Sequence, residues 1–236
     1  MPVLIFATGP VKRVPTLSLP LGVLIEEAHH LRGSVWALGI GVGARGATAR
    51  PRVPEPVDGR GNAYVGNIGF DFPAGEFAPG TLALVSPNGS ARQVADGVAF
   101  PNGIVVMPDN STLIVAESYA NSLTAFDIAA DGSLSNQRVW ADLDNGVPDG
   151  ICLDTEGAIW YGDVPNKRCV RVREGGEVLQ TIELDRGCFA CMLGGVDRRT
   201  LFLVAREWGG MESTAEGERT GQVLSAPAPA PGAGWP

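Results

Sequence analysis

Two stretches of this 236-residue chain set polar side chains at a shared place in a shared pattern. One reads FPNGIVVMPDNSTLIVAES and carries Asn102; the other reads GVPDGICLDTEGAIWYGD and carries Asp149. In both, a proline precedes the polar residue, a glycine follows it, and an apolar run, a turn and a second apolar run come next. A carboxylate buried where such a strand begins must find a polar partner or a cation. The same residues also suit an ordinary Asx turn closing on the following glycine. Spacing alone leaves both explanations open.

The elements that would position this pair recur along the chain. From residue 58 onward, turn pieces such as PNG, PDN, ADG, TEG and EGG alternate with short apolar runs rich in β-branched and aromatic residues, and helix-length amphipathic patterns are absent. Candidate strands include 62–67, 81–86, 112–117, 123–128, 158–163, 169–174, 177–184, 200–205 and 221–226. The copies repeat every 40–47 residues or so, the span of one four-stranded propeller blade. The expected fold is therefore all-β, a β-propeller with about four recognisable blades. In this register Asp149 aligns with Asn102, Ala190 and Val53, each just before the innermost strand of a blade and so facing the channel mouth. There, residues far apart in sequence converge.

Composition narrows the partners. A net charge of −8 argues against a nucleic-acid partner, because phosphate binders concentrate Lys and Arg. No apolar run is long enough to span a membrane as a helix, so no membrane partner is expected. The four cysteines are too few for a disulfide scaffold and fit a reducing, cytoplasmic setting. The charge is unevenly distributed: residues 1–57 hold no Asp, three Glu and six basic residues, whereas the rest hold 23 acidic and 12 basic. The stretch 39–56 shows neither strand nor helix periodicity. The expected organisation is an aberrant amino-terminal segment (1–57), propeller blades (58–226) and a Pro/Ala-rich, linker-like end (227–236).

The paired -NG- and -PDG- motifs, with the blade opening VDGRGNAYVGNIGFDF and the later RGCFACMLGGVDRRTLFLVA, resemble the SMP-30/gluconolactonase (regucalcin-like) family over roughly residues 56–226. The resemblance implies a six-bladed propeller that opens a small, sugar-type lactone with one divalent cation, calcium, zinc, manganese or magnesium, at the channel mouth. It implies Asn102 and Asp149 as metal ligands, with Asp149 also the catalytic general base. Hard oxygen donors suit such cations, and a cation-bound water is readily activated. The family's third ligand, an early Glu, has no match: HLRGSVW (30–36) is the nearest stretch and places Arg32 there, with Glu26 and Glu27 out of register. Val53 stands where the family has a pocket Asn.

Two alternatives follow from these departures. One is a catalytically impaired propeller acting as a binding module; the other is a propeller enzyme of the strictosidine-synthase-like kind. Other constellations point to structure. Cys188 and Cys191 form a CxxC without a second pair or a thioredoxin-like context, and Cys152 and Cys169 also read as strand-core residues. His29 and His30 lie in the aberrant segment, and no GxSxG elbow exists. GVGARG (41–46) lacks the strand and helix of a phosphate loop. Asp71, Glu117 and Asp163 are expected at strand ends, lining the pocket or solvated, with the matching repeat positions of Glu117 and Asp163 favouring a structural role, while Trp160, Phe189 and Trp208 are expected in the core or at the border of the mouth.

Overall fold

The computed structural model describes residues 12–13, 57–210 and 220–233. Among these, every regular element is a β-strand, and consecutive strands pair antiparallel into four sheets. Blade I contains β2 (Ala63–Asn67), β3 (Gly80–Val85) and β4 (Ala91–Val98). An isolated bridge from Val57 to Ala63 marks where its innermost segment runs. Blade II is β5 (Pro101–Val106), β6 (Thr112–Glu117), β7 (Ser122–Ile128) and β8 (Leu134–Asp142). Blade III is β9 (Pro148–Leu153), β10 (Ile159–Asp163), β11 (Arg168–Val172) and β12 (Val178–Glu183). Blade IV is β13 (Gly187–Gly194), β14 (Thr200–Arg206), β15 (Gln222–Pro227) and, from the amino-terminal segment, β1 (Lys12–Arg13), which pairs with β15 at the outer edge. The all-β propeller expected from the repeats is the fold observed.

Strand chemistry follows from the stacking of blades. Successive side chains along a strand point to opposite sheet faces. In β6, Leu113 and Val115 pack with Tyr64, Leu82 and Leu84 of blade I, whereas Ile114 and Ala116 pack with Ile151, Ile159 and Tyr161 of blade III. In β10, Ile159 and Tyr161 face blade II while Trp160 faces Leu201, Leu203 and Cys191 of blade IV. A strand sandwiched between two blades must be apolar on both faces, so TLIVAE and AIWYGD read as continuous apolar runs without polar alternation. Outer strands such as β4 are largely exposed.

The end of the molecule away from the starts of the inner strands is tied by aspartates in the turn that leaves each inner strand. Asp58 and Asp154 each accept the backbone N–H groups two and four residues on. Asp109 and Asp197 accept only the one two residues on, with Asn110 and Arg198 at positive φ between. Asp154 also receives Arg171 Nε at 2.7 Å, and Arg171 reaches Glu156 at the same distance; Arg171 and Asp154 are both buried. The Pro/Ala-rich stretch is not a bare linker through residue 233. Ala228 and Ala230 are buried, and the backbone from 228 to 233 bonds to Arg198, Arg199, Leu153 and Thr155, clasping the turns of blades III and IV.

Candidate active site

Asn102 and Asp149 are the second residues of β5 and β9, the inner strands of neighbouring blades. Each sits in a bulge. Pro101 pairs with Glu117 and the next pair is Ile104 with Val115, so Asn102 and Gly103 together stand opposite Ala116. Pro148 pairs with Asp163 and the next pair is Ile151 with Tyr161, so Asp149 and Gly150 stand opposite Gly162. A bulge leaves its residues outside the regular ladder and re-aims their side chains, which is why such irregularities collect beside functional sites.

The glycines serve the bulge. A Cβ on Gly103 would lie 2.6 Å from Ile151 N and 2.8 Å from Asp149 O; one on Gly150 would lie 2.8 Å from Ala190 Cα. Inner strands of adjacent blades come backbone to backbone here, and only glycine admits that approach. The -NG- and -DG- pairs are therefore the mark of inner strands drawn together at one end.

Blade IV corrects the repeat register. Cys188 pairs with Ala205, and the next pair is Ala190 with Val204, leaving Phe189 as the bulged residue. Counted from the preceding turn, Ala205 holds the position of Glu117 and Asp163, so Phe189, not Ala190, is the counterpart of Asp149. The half-buried Phe189 ring packs edge-on against Trp208 at 5.9 Å. Val53, Arg32, Glu26, Glu27, His29 and His30 lie outside the described residues.

Two carboxylates clamp the segments that lead into the inner strands. Glu117 Oε2 accepts the Ala99 N–H at 2.5 Å, and Asp163 accepts the Val147 N–H at 3.3 Å. Asp163, fully buried, also receives Asn166 Nδ2 and, at 2.9 Å, Arg168 Nε. These matched positions hold the segments that deliver Asn102 and Asp149, the structural role expected of them; Asp71 instead lies exposed in the β2–β3 loop. Trp160 is core, as expected. All four cysteines are free and buried between blades III and IV.

Ser118, which carried no signal in the sequence beyond its place after Glu117, links the two sides. Its hydroxyl donates to Pro148 O at 2.6 Å and accepts from Asn102 Nδ2 at 3.4 Å. Asn102 also hydrogen-bonds the Asp149 carboxyl. Asp149 keeps an opening to solvent, yet protein atoms crowd it. Burial pushes its carboxyl up to about 7, against the lowering effect of the Asn102 and Gly150 hydrogen bonds. Among the described residues, no basic side chain contributes to that balance. A carboxylate beside an amide oxygen, with no cationic partner among the described residues, is a donor set that suits a hard divalent cation. Among the described residues, no group of three or more His, Cys, Asp or Glu could hold a metal.

Antiparallel blades whose inner strands bring polar residues together at one end define a β-propeller. The chain belongs to the SMP-30/gluconolactonase/LRE-like family, whose characteristic region it matches over residues 56–207. It is 31% identical to regucalcin from Danio rerio over 157 residues, covering 59% of this chain and 53% of that protein. It is 28% identical to 6-deoxy-6-sulfogluconolactonase from Pseudomonas putida over 162 residues, 66% of this chain and 56% of the relative. The chain thus spans about half the length of the curated relatives it matches. Its fold resembles that of a luciferin-regenerating enzyme (TM-score 0.64, 21% identity, 76% of this chain and 62% of that one). It also resembles a calcium-binding regucalcin from Agrobacterium tumefaciens (TM-score 0.61, 21% identity, 76% and 61%).

Proposed function

We propose that this chain is a lactonase-type hydrolase in which Asn102 and Asp149 hold one divalent cation, with Asp149 as the general base toward water. The observation that carries the reading is the convergence of these two oxygen donors from adjacent bulged strands, with the carboxyl buried and no cationic partner among the described residues. Relatives named gluconolactonase and regucalcin support it, the latter including a structure described as calcium-binding. Calcium, magnesium or manganese suits the oxygen donors best, and zinc less so. When bound, such a cation supplies Lewis-acid polarisation of the lactone carbonyl and lowers the pKa of water beside it.

The chain's own groups do the rest. Asp149 takes the proton of the attacking water at a carboxylate oxygen. Asn102 would offer its amide oxygen to the cation, while its Nδ2 donates to Ser118. Glu117 and Asp163 fix the segments leading into β5 and β9, so that neither donor swings away. The four free buried thiols support a reducing, cytoplasmic setting.

The test is pH-stat lactone hydrolysis by metal-stripped protein before and after adding calcium, manganese, magnesium or zinc, with Asp149→Asn alongside. Metal-dependent turnover lost in the variant is the expected result. A folded, monodisperse sample that turns over no lactone with any metal would refute the enzyme reading and leave a binding module.

A further inference from the structure

In an antiparallel blade, the loop after the second strand and the segment leading into the innermost strand emerge at the same end. The β2–β3 loop (68–79), Phe100 and Tyr119 therefore gather at the mouth that holds Asn102 and Asp149. Five rings meet there: Phe70 touches Phe72, Phe77, Phe100 and Tyr119 at centroid separations of 6.2, 5.8, 5.9 and 6.0 Å, and Phe100 stacks on Tyr119 at 4.7 Å and 18°. The cluster is continuous with the polar pair. Phe100 lies two residues before Asn102, and Tyr119 follows Ser118, which bonds both Asn102 and the residue preceding Asp149.

This wall is not buried core. Tyr64, Phe126, Trp160 and Tyr161 are all buried between blades, whereas Phe72, Phe77 and Tyr119 stand 38%, 51% and 43% exposed. The other large exposed hydrophobics among the described residues are mainly valines on separate strands and turns, such as Val139, Val178 and Val196. A contiguous exposed aromatic patch marks a binding surface. Phe100 adds a second sign. Its φ of 61° is a left-handed conformation that bulky residues avoid. The bonds Ser118 N–H to Phe100 O and Tyr119 N–H to Ala99 O, both 3.2 Å, hold it so that the ring lies flat on Tyr119. Across the polar pair, on blade IV, the position matching Asp149 is again aromatic, Phe189. The loop 68–79 carries Asp71 and Glu76 and no basic residue, so the wall disfavours an anionic group.

We propose that the mouth selects an uncharged lactone bearing an apolar aryl or alkyl substituent, seated on the wall formed by Phe70, Phe72, Phe77, Phe100 and Tyr119, over a fully hydroxylated sugar lactone. The proposal rests on the lactonase reading for its chemistry, but the wall can be tested by itself. With calcium supplied, kcat/KM of the full chain is measured for dihydrocoumarin and for δ-gluconolactone. Dihydrocoumarin is expected to be favoured by about tenfold or more. Phe77→Ala and Tyr119→Ala, both at partly exposed positions, should each shrink that preference about three- to tenfold, mainly through KM, with cooperative thermal unfolding retained. A preference for gluconolactone, or an equal fall for both lactones, overturns the proposal.

If no lactone is turned over, the lactonase reading fails, and ligand-observed NMR of dihydrocoumarin binding decides the wall. Saturable binding weakened by both substitutions upholds it; no binding overturns it. Self-association abolished by the two substitutions in sedimentation experiments also overturns it, in favour of a contact between copies of the chain.

Discussion

Gly103→Ala tests whether close approach of the inner strands creates the site. The new methyl would sit 2.6 Å from Ile151 N, 2.8 Å from Asp149 O and 3.0 Å from Gly150 Cα, all backbone atoms that cannot rotate away. To reach ordinary contact the strands of blades II and III must part by about 0.8 Å. Overpacking of this kind costs about 1–3 kcal/mol. For a chain of this size, that lowers the melting temperature by about 2–4 °C per kcal/mol. The consequence for the site is sharper. Calcium–oxygen distances span only about 0.3 Å, so a strand shift larger than that separates the amide and carboxylate beyond joint ligation, and calcium affinity should fall by about tenfold or more. Gly89→Ala is the control: it places a side chain at φ +83° with nothing within 4 Å, so it strains the backbone far from the mouth without touching the site. Calorimetric titration with calcium chloride and thermal unfolding are run on both. If Gly103→Ala binds calcium like the parent and melts at the same temperature, the argument that glycine brings the two donors together is wrong.

Arg171→Met leaves the Asp154 carboxylate buried without its guanidinium, which should cost about 3–5 kcal/mol in urea unfolding, with Asp154→Asn added in the same background recovering part of the loss. Glu117→Ala removes the acceptor of the Ala99 N–H and loosens the segment leading to Asn102, so KM and calcium affinity should both worsen while the far end of the blade keeps its hydrogen-exchange protection. Alkaline stability has a definite sign. Burial raises the Tyr64 phenol to about 12 and raises Tyr161 as well, so above about pH 10 the unfolded chain releases protons that the folded chain keeps, and stability falls as pH rises from 10 toward 12. Tyr64→Phe should flatten that slope in pH-dependent chemical denaturation; an unchanged slope would show that this phenol does not govern it.

The blades were legible because their signals are local. A turn aspartate follows the inner strand of each blade, and strands packed between two blades announce themselves as unbroken apolar runs, as in TLIVAE and AIWYGD. Asn102 and Asp149 were legible for a related reason: each lies between a proline and a glycine that the bulge requires. Blade IV escaped by one residue. There the bulged residue is Phe189 followed by Ala190, without the Pro-polar-Gly frame, and a repeat comparison without ladder pairing cannot place an inserted residue. The Arg171–Asp154 pair was invisible because an arginine on a strand carries no sign of which turn it reaches. Likewise, no periodicity connects Phe70, Phe72 and Phe77 to Phe100 and Tyr119; only the common end of successive antiparallel loops does.

The bulge, the clamps and the aromatic wall form one arrangement. Pairing Pro101 with Glu117 puts that carboxylate beside the incoming segment, where it captures Ala99 N–H and holds Phe100 left-handed. That conformation lays the Phe100 ring on Tyr119, while the residue between Glu117 and Tyr119 is Ser118, the bridge from Asn102 to the proline before Asp149. Three consecutive residues at the end of β6 thus set the incoming segment, the polar pair and the wall together. In blade III the matching clamp is Asp163, but it is followed by Val164 and Pro165, and no ring stack rises there. The polar pair is therefore shared between two blades, whereas the large aromatic wall belongs to the blade I–II side. On the proposed reading, a lactone held on that wall with its carbonyl toward Asn102 and Asp149 would present its ring in one orientation, tying selectivity for the substituent to the strand start that positions the polar pair.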